Sequence, residues 1–370
     1  MRKSRTGYFD VLRVFSMCAV VYLHVAAPAL RQSANMRLWH VSNLLTALAT
    51  VAVPIFFMIS GALLIGSEKT ADVRYLLTHR LPHILIPFLL WSLIEVGAAY
   101  FYTGADTARA MLSMITSKPV IVPYWFLYAI LPLYLLSPLL KRMVDGLSPK
   151  LFRYLLGLWL VFSILLKTIT DYLPDSIRPY IAEHPVYHLS LLGGFLGYFL
   201  LGAYLNGLSR PLSKKWLSAV LIADTLLITL GTWYSTQCAG QYSEQFKSYL
   251  SLYVVILGVC MFLLAKEVFA NKTLPAKPLA LLSGASFFVY LAHPRAIDLI
   301  RRIFTPVGEP LLTLGTIVQQ LGFYLLVLGA TVLACLILAS VRPLCFPLTG
   351  QRYKTAANLQ ALAKQDATSK

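Results

Sequence analysis

The chain is short of charge, and shorter still of acid. Only 13% of its 370 residues are Asp, Glu, Lys or Arg, and 15 acidic residues face 32 basic ones. Soluble domains carry about 25% charged residues, so this composition excludes one. Cysteine is also scarce. The five residues, at 18, 238, 260, 335 and 345, are scattered. They suggest neither a disulfide framework nor metal-ligand spacing, so no metal site is expected. No connector between apolar runs is long enough to fold as a second catalytic domain, and no low-complexity tract or clear repeat is present. Any functional site must therefore be built from helix faces and short loops.

What the chain has is apolar length. It is 58% hydrophobic, with a mean hydropathy of +0.69. Windows of about 20 residues give about ten spans. They lie near 9–29, 44–65, 82–102, 123–140, 151–169, 189–206, 216–234, 248–269, 279–297 and 313–341. Pro123, Pro132 and Pro138 interrupt the fourth, where neighbouring helices can satisfy the freed backbone groups. The first span has the basic start of a signal peptide, but its core is longer and holds Arg13, so a retained helix is expected. The reading is an all-α, multi-pass membrane protein. A membrane-embedded domain covers residues 1–350, and 351–370 form a short mobile cytoplasmic tail.

The net charge of +17 is not a nucleic-acid footprint. With the N-terminus inside, 21 of the Lys and Arg residues fall in inner segments and 9 in outer ones, while Arg13 and Lys167 lie within spans. That asymmetry is the positive-inside pattern and puts both termini in the cytoplasm.

The first span, "FDVLRVFSMCAVVYLHVAAPAL" at 9–30, carries Asp10, Arg13 and His24. An ionisable residue in a bilayer is costly and marks function by default. His24 follows Arg13 by eleven positions, about three turns plus roughly 20°, so the two share a face about 16 Å apart. Asp10, three before Arg13, joins them. The stripe should face the bundle interior. Taken alone, Asp10–Arg13 could be an interfacial anchor, and His24 an interhelical hydrogen-bond partner.

These residues resemble the first-helix signature of the acyltransferase-3 family, integral membrane acyl-CoA-dependent O-acyltransferases. That signature has an Asp three before an Arg, and a His after ten further residues. "VPIFFMISGALLIG" (53–66), "YWFLYAILPLYLLSP" (124–138), "GGFLGYFLLGAYL" (193–205) and "SFFVYLAHP" (286–294) resemble later family segments, in order. The overall likeness is to stand-alone O-acetyltransferases of surface polysaccharides. The resemblance implies a bacterial inner-membrane enzyme moving an acyl group, most simply acetyl, from cytoplasmic acyl-CoA to a hydroxyl of an envelope glycan or lipid-linked saccharide. Acyl-CoA would be a co-substrate, and no permanently bound cofactor is implied. Partners would be acyl-CoA, the saccharide acceptor and membrane lipids, with no nucleic acid.

By the same resemblance His24 is the catalytic histidine, with Arg13 and Asp10 its partners. An Arg-x-x-Arg pair at the start of the third helix serves acyl-CoA in the family. Here it reads Arg80-Leu-Pro-His83, with a histidine for the second arginine and Arg74 nearby. Arg74, Arg80 and His83, with Lys69, form a basic cluster suited to CoA phosphates; positive-inside charge explains them equally. Ser60 could donate to substrate, or serve helix packing beside Gly61. Tyr290 and His293 could line an acceptor entrance, or be an interfacial Tyr and a helix-ending His-Pro. Glu95 and Asp224 should face the interior. Trp125 fits an interface belt better than a sugar platform. A carrier, with Asp10–Arg13 as a gating pair, is the rival reading, although no inverted repeat is evident. A membrane sensor domain is a third.

Overall fold

The structure is a computed structural model and describes residues 7–32, 35–115, 118–174, 176–177, 194–270, 272, 276–305 and 314–353. Among these residues there are helices and no strands. The chain begins with α1 (Gly7–Gln32). Next come α2 (Met36–Ala49) and α3 (Ala52–Ile65), two parts of one 30-residue apolar segment broken at Thr50–Val51. A polar connector ends in a wide π-helical turn, Leu76–Arg80. Then follow α4 (Pro82–Thr103), α5 (Ala105–Met114), α6 (Trp125–Gly146) and α7 (Pro149–Asp171). The second half holds α8 (Gly194–Gly207), α9 (Lys214–Ala239), α10 (Leu252–Phe269), α11 (Ala276–Ile303), α12 (Ile317–Ser340) and the short α13 (Arg342–Thr349).

Helix starts follow their capping chemistry. Asn35, Ser148, Ser213 and Ser251 each accept a backbone N–H three residues on. Thr316 and Gln319 form a reciprocal capping box ahead of α12. At the C-terminal end of α8 the Lys266 ammonium donates to the carbonyls of Leu205, Asn206 and Leu208, at 2.9, 2.9 and 2.5 Å. A cation there satisfies the orphan acceptors and complements the helix dipole.

Among the described residues, eight helical segments are long and apolar enough to cross a membrane. They correspond to eight of the ten predicted spans. The other two predicted segments are α8 and α11. The first five residues of predicted span 189–206 lie outside the described residues, and α8 itself is 14 residues long. α11 is 28 residues long, but carries Arg295, Asp298, Arg301 and Arg302. Its polar groups, rather than its length, set it apart. Of the predicted tail 351–370, only 351–353 are described.

α1, α3, α8, α10 and α11 make the centre of the bundle, with α1 packed lengthwise on α11. α3 and α8 meet backbone to backbone. A Cβ on Gly61 would lie 1.7 Å from the Phe199 carbonyl oxygen, and one on Gly202 would lie 2.0 Å from that of Met58. Small residues let helices approach this closely where no hydrophobic drive separates protein from lipid. Outward faces of α4, α9 and α12 show exposed leucines such as Leu93, Leu230 and Leu325, which hydrocarbon would cover.

Candidate active site

The N-terminus of α1 marks one end of the bundle, called here the near end. A cavity of about 300 Å³ opens there among α1, α3, α4, α6 and α11. Five residues singled out from sequence line it: Arg13, Ser60, Arg80, His83 and Tyr290. They come from four helices and a connector, so a shared wall is a tertiary fact that no single segment contains.

The α1 stripe faces α11. Asp10 is buried, 3.5 Å from the Arg13 guanidinium. It also accepts a hydrogen bond from the Ser283 hydroxyl of α11 at 2.6 Å. Three turns on, the His24 ring lies against His293 of the same helix, with centroids 5.0 Å apart. Asp10 thus fixes Arg13 at the cavity wall from one side, while α11 supplies a partner for each end of the stripe. His293 is fully buried. Its Nδ1 lies 2.8 Å from the Tyr290 carbonyl and 3.2 Å from that of Val289, and its Nε2 has no partner. Tyr290 joins this pair to the cavity. Its ring is 6.0 Å from His293, its hydroxyl donates to the Pro123 carbonyl, and its side chain lines the cavity.

The packing and the polar role of "SG" at 60–61 are divided between the two residues. Gly61 takes the contact with α8, and Ser60 beside it lines the cavity together with Tyr134.

The basic cluster splits. Arg80 and His83 line the cavity, one at the end of the π-helical turn and one in the first turn of α4. Tyr75 carries Arg80 over its ring face at 5.8 Å and Lys69 at 5.5 Å, which holds two cations near the mouth. The His83 Nδ1 has no partner. Arg74 is exposed and does not line the cavity.

Several lining residues escaped the sequence reading. Ser283 and Ser286 had a signal: with Tyr290 and His293 they fall at successive spacings of three, four and three, one face of α11. Tyr134 lay inside a segment already singled out. Thr349, Gly350 and Gln351 had none, because they reach the cavity only when the chain turns back after α13. Gly350 adopts φ +67°, and a Cβ there would lie 2.5 Å from the His83 carbonyl oxygen. Gln351 donates to the Gly284 carbonyl at 2.9 Å, and its own carbonyl accepts from the Cys345 thiol at 3.3 Å. This hook closes one side of the cavity mouth.

Other buried charges stand apart. Glu95 pairs with Arg295, which also binds Asp298 at 3.0 Å; Asp298 in turn holds Arg302 at 3.1 Å. Glu95 and Asp224 are buried, as expected of acids within spans. Trp125 stacks on Tyr249 and packs against Phe195, inside an aromatic cluster.

The site is thus a cavity with cations near its mouth and a histidine pair beyond it. An acyltransferase-domain family model matches residues 6–340. The chain belongs to this family. It is therefore a multi-pass membrane protein of the acyltransferase-3 type, as the first-helix motif suggested. Among curated proteins, the probable poly-beta-1,6-N-acetyl-D-glucosamine export protein of Staphylococcus aureus (strain MSSA476) is 26% identical over 258 residues, 66% of this chain and 68% of that protein. The protein of the same description from Staphylococcus epidermidis is 24% identical over 259 residues, 66% of this chain and 67% of that one. No solved structure matches.

Proposed function

We propose that this protein transfers an acyl group, most simply acetyl, from acyl-CoA to a hydroxyl of an envelope glycan or lipid-linked saccharide. The observation that carries the reading is the cavity itself. Cations stand near its mouth, apolar walls line its depth, and Tyr290 leads from it to His24 and His293. An acyl-pantetheine arm is a long flexible chain with a phosphorylated head. Arg80, His83 and Lys69 suit the phosphates, and Ile59, Leu63, Phe126 and Ile130 suit the arm.

In this reading the near end is cytoplasmic, both termini are cytoplasmic, and α8 and α11 complete ten crossings in the bacterial inner membrane. The acceptor approaches His24 from the opposite side or from the lipid. His24 takes the proton of the attacking hydroxyl as the new C–O bond forms at the thioester carbon. The same proton goes to the thiolate as the C–S bond breaks. Arg13, held by Asp10 about three turns nearer the mouth than His24, suits the CoA side, and Ser60 and Tyr134 offer hydroxyls from the cavity wall along the arm.

One observation favours a second reading. The two relatives are described as probable export proteins. Under that reading the cavity would be part of a saccharide path, and Asp10–Arg13 would gate it.

The deciding experiment supplies radiolabelled acetyl-CoA to membranes containing the protein or its His24→Ala variant. Label should pass to envelope glycan with the parent, and fall by about 10²-fold or more in a folded variant, the range for a general base. Equal transfer by both proteins removes His24 from the chemistry. Absence of transfer by either, with acetyl- and succinyl-CoA, favours the export reading.

A further inference from the structure

Proline 294 sits inside α11, directly after His293. Its ring nitrogen carries no hydrogen, so the carbonyl four residues earlier, that of Tyr290, loses its helical donor. The His293 Nδ1 lies 2.8 Å from that carbonyl and 3.2 Å from the Val289 carbonyl. Two acceptors converge on one ring nitrogen. Nδ1 must therefore carry the hydrogen, and in a neutral imidazole Nε2 then holds only a lone pair. The Nε2 is buried, has no partner, and belongs to a ring whose centroid lies 5.0 Å from that of His24. A buried acceptor left unmet is costly, and His24 is the neighbouring ring that can supply a donor.

From this geometry we infer that His293 is a positioning residue for His24: a histidine locked by Tyr290 and Pro294 in the Nδ1–H form, whose Nε2 accepts a hydrogen bond from His24. The consequence for His24 is specific. One of its nitrogens is committed as a donor to His293. The other is left as a lone pair, aimed away from α11 and free to take a proton. When that proton arrives, the His24 imidazolium is stabilised by the His293 acceptor. This is the task a carboxylate performs for the histidine of hydrolytic triads, here given to a neutral group that costs less to bury. No bond is made or broken at His293, and no net proton passes to it. The His-Pro pair thus has a definite purpose: the proline frees the carbonyl that locks the tautomer.

The catalytic consequence rests on the proposed acyl transfer, but the tautomer does not, and the two can be tested separately. Nitrogen-15 spectra of histidine-labelled protein in lipid nanodiscs report which ring nitrogens are protonated. Wild-type protein should show His293 with Nδ1 protonated and Nε2 bare, and His24 in one fixed tautomer. His293→Phe keeps the ring volume and should leave His24 averaging between tautomers. Pro294→Ala restores a donor to Tyr290, and should weaken the fixed form of His293. A protonated Nε2 on His293, or an unchanged His24 signal in His293→Phe, overturns the inference whatever the protein's activity. Should His293→Phe not fold, His293→Gln, which keeps an acceptor, should retain the single His24 tautomer; averaging there counts against the idea. In the acetyl-CoA assay, His293→Phe should lower kcat by at least about tenfold with KM for acetyl-CoA unchanged, and His293→Gln should recover part of the loss. A rise in KM at unchanged kcat would make His293 a binding residue instead.

Discussion

The two ends of the bundle handle buried polarity differently. Toward the far end, several buried charges have close partners. Glu95, Arg295, Asp298 and Arg302 form a chain of ion pairs, and the Lys247 ammonium donates to Asn43 at 2.7 Å and Thr46 at 2.8 Å. At the near end, polar groups surround a space. Arg13, Arg80, His83 and Ser60 line a cavity, and the His83 Nδ1 has no hydrogen-bond partner. Both ends satisfy the rule that ionisable residues in spans avoid lipid. At the near end a cavity leaves room for a ligand. A charge within a span is therefore a weak pointer until its partners are known, and a vacancy beside it makes the pointer strong.

Breaking the matched end should cost stability and spare ligand binding. Glu95→Gln leaves the Arg295 guanidinium, largely shielded from solvent, with Asp298 alone. Removing one member of a buried pair costs about 3–5 kcal/mol, and the remaining Asp298 contact puts this variant near 3 kcal/mol. Thermal unfolding in detergent should show the loss, while the folded fraction binds acetyl-CoA as the parent does. A variant of normal stability with impaired CoA binding would make the network part of the site.

Emptying the hollow end should do the reverse. Arg80→Ala removes a cation that faces the cavity and rests on Tyr75. A charge-assisted hydrogen bond to a phosphate is worth about 1.5–3 kcal/mol, so acetyl-CoA affinity should fall about tenfold or more, with the unfolding temperature unchanged. Arg74→Ala, at an exposed position away from the cavity, is the matched control and should change affinity little. Equal losses in both variants would reduce the cluster to general surface charge.

The contrast between the ends also explains what could be read from the sequence. Asp10, Arg13 and His24 were legible because one helix carries all three, and helical periodicity alone places them on one face. Ser283 and Ser286 were legible in principle, from their register with Tyr290 and His293. The Glu95–Arg295 pair spans 200 positions, so its acid could be called inward-facing while its partner stayed hidden. The Gly350–Gln351 hook was beyond reach, since nothing local says the chain folds back under α4. The count of spans stays open at α11: its apolar stretch 279–297 reads as a span, while Arg295, Asp298, Arg301 and Arg302 toward its end keep it out of the eight helices apolar enough to cross.

Lys247 offers the finest test of what matching can achieve. It lies in the connector between α9 and α10, outside the spans, yet only 8% of it is exposed. Its partners Asn43 and Thr46 are neutral, so its charge is hydrogen-bonded but not neutralised. Burial, partly offset by Glu244, pushes its ammonium down to about 7 from 10.5. The folded protein then binds fewer protons at this site than the unfolded chain between pH 7 and 10.5. Stability must rise with pH across that window, by linkage, and the contribution must flatten on either side. The parent protein should therefore unfold at a higher temperature at pH 9 than at pH 7. Lys247→Met keeps the length of the side chain without the charge, and should remove this part of the slope. An identical pH dependence in the two proteins would mean that Lys247 stays protonated in the fold and that its neutral partners suffice for a full charge.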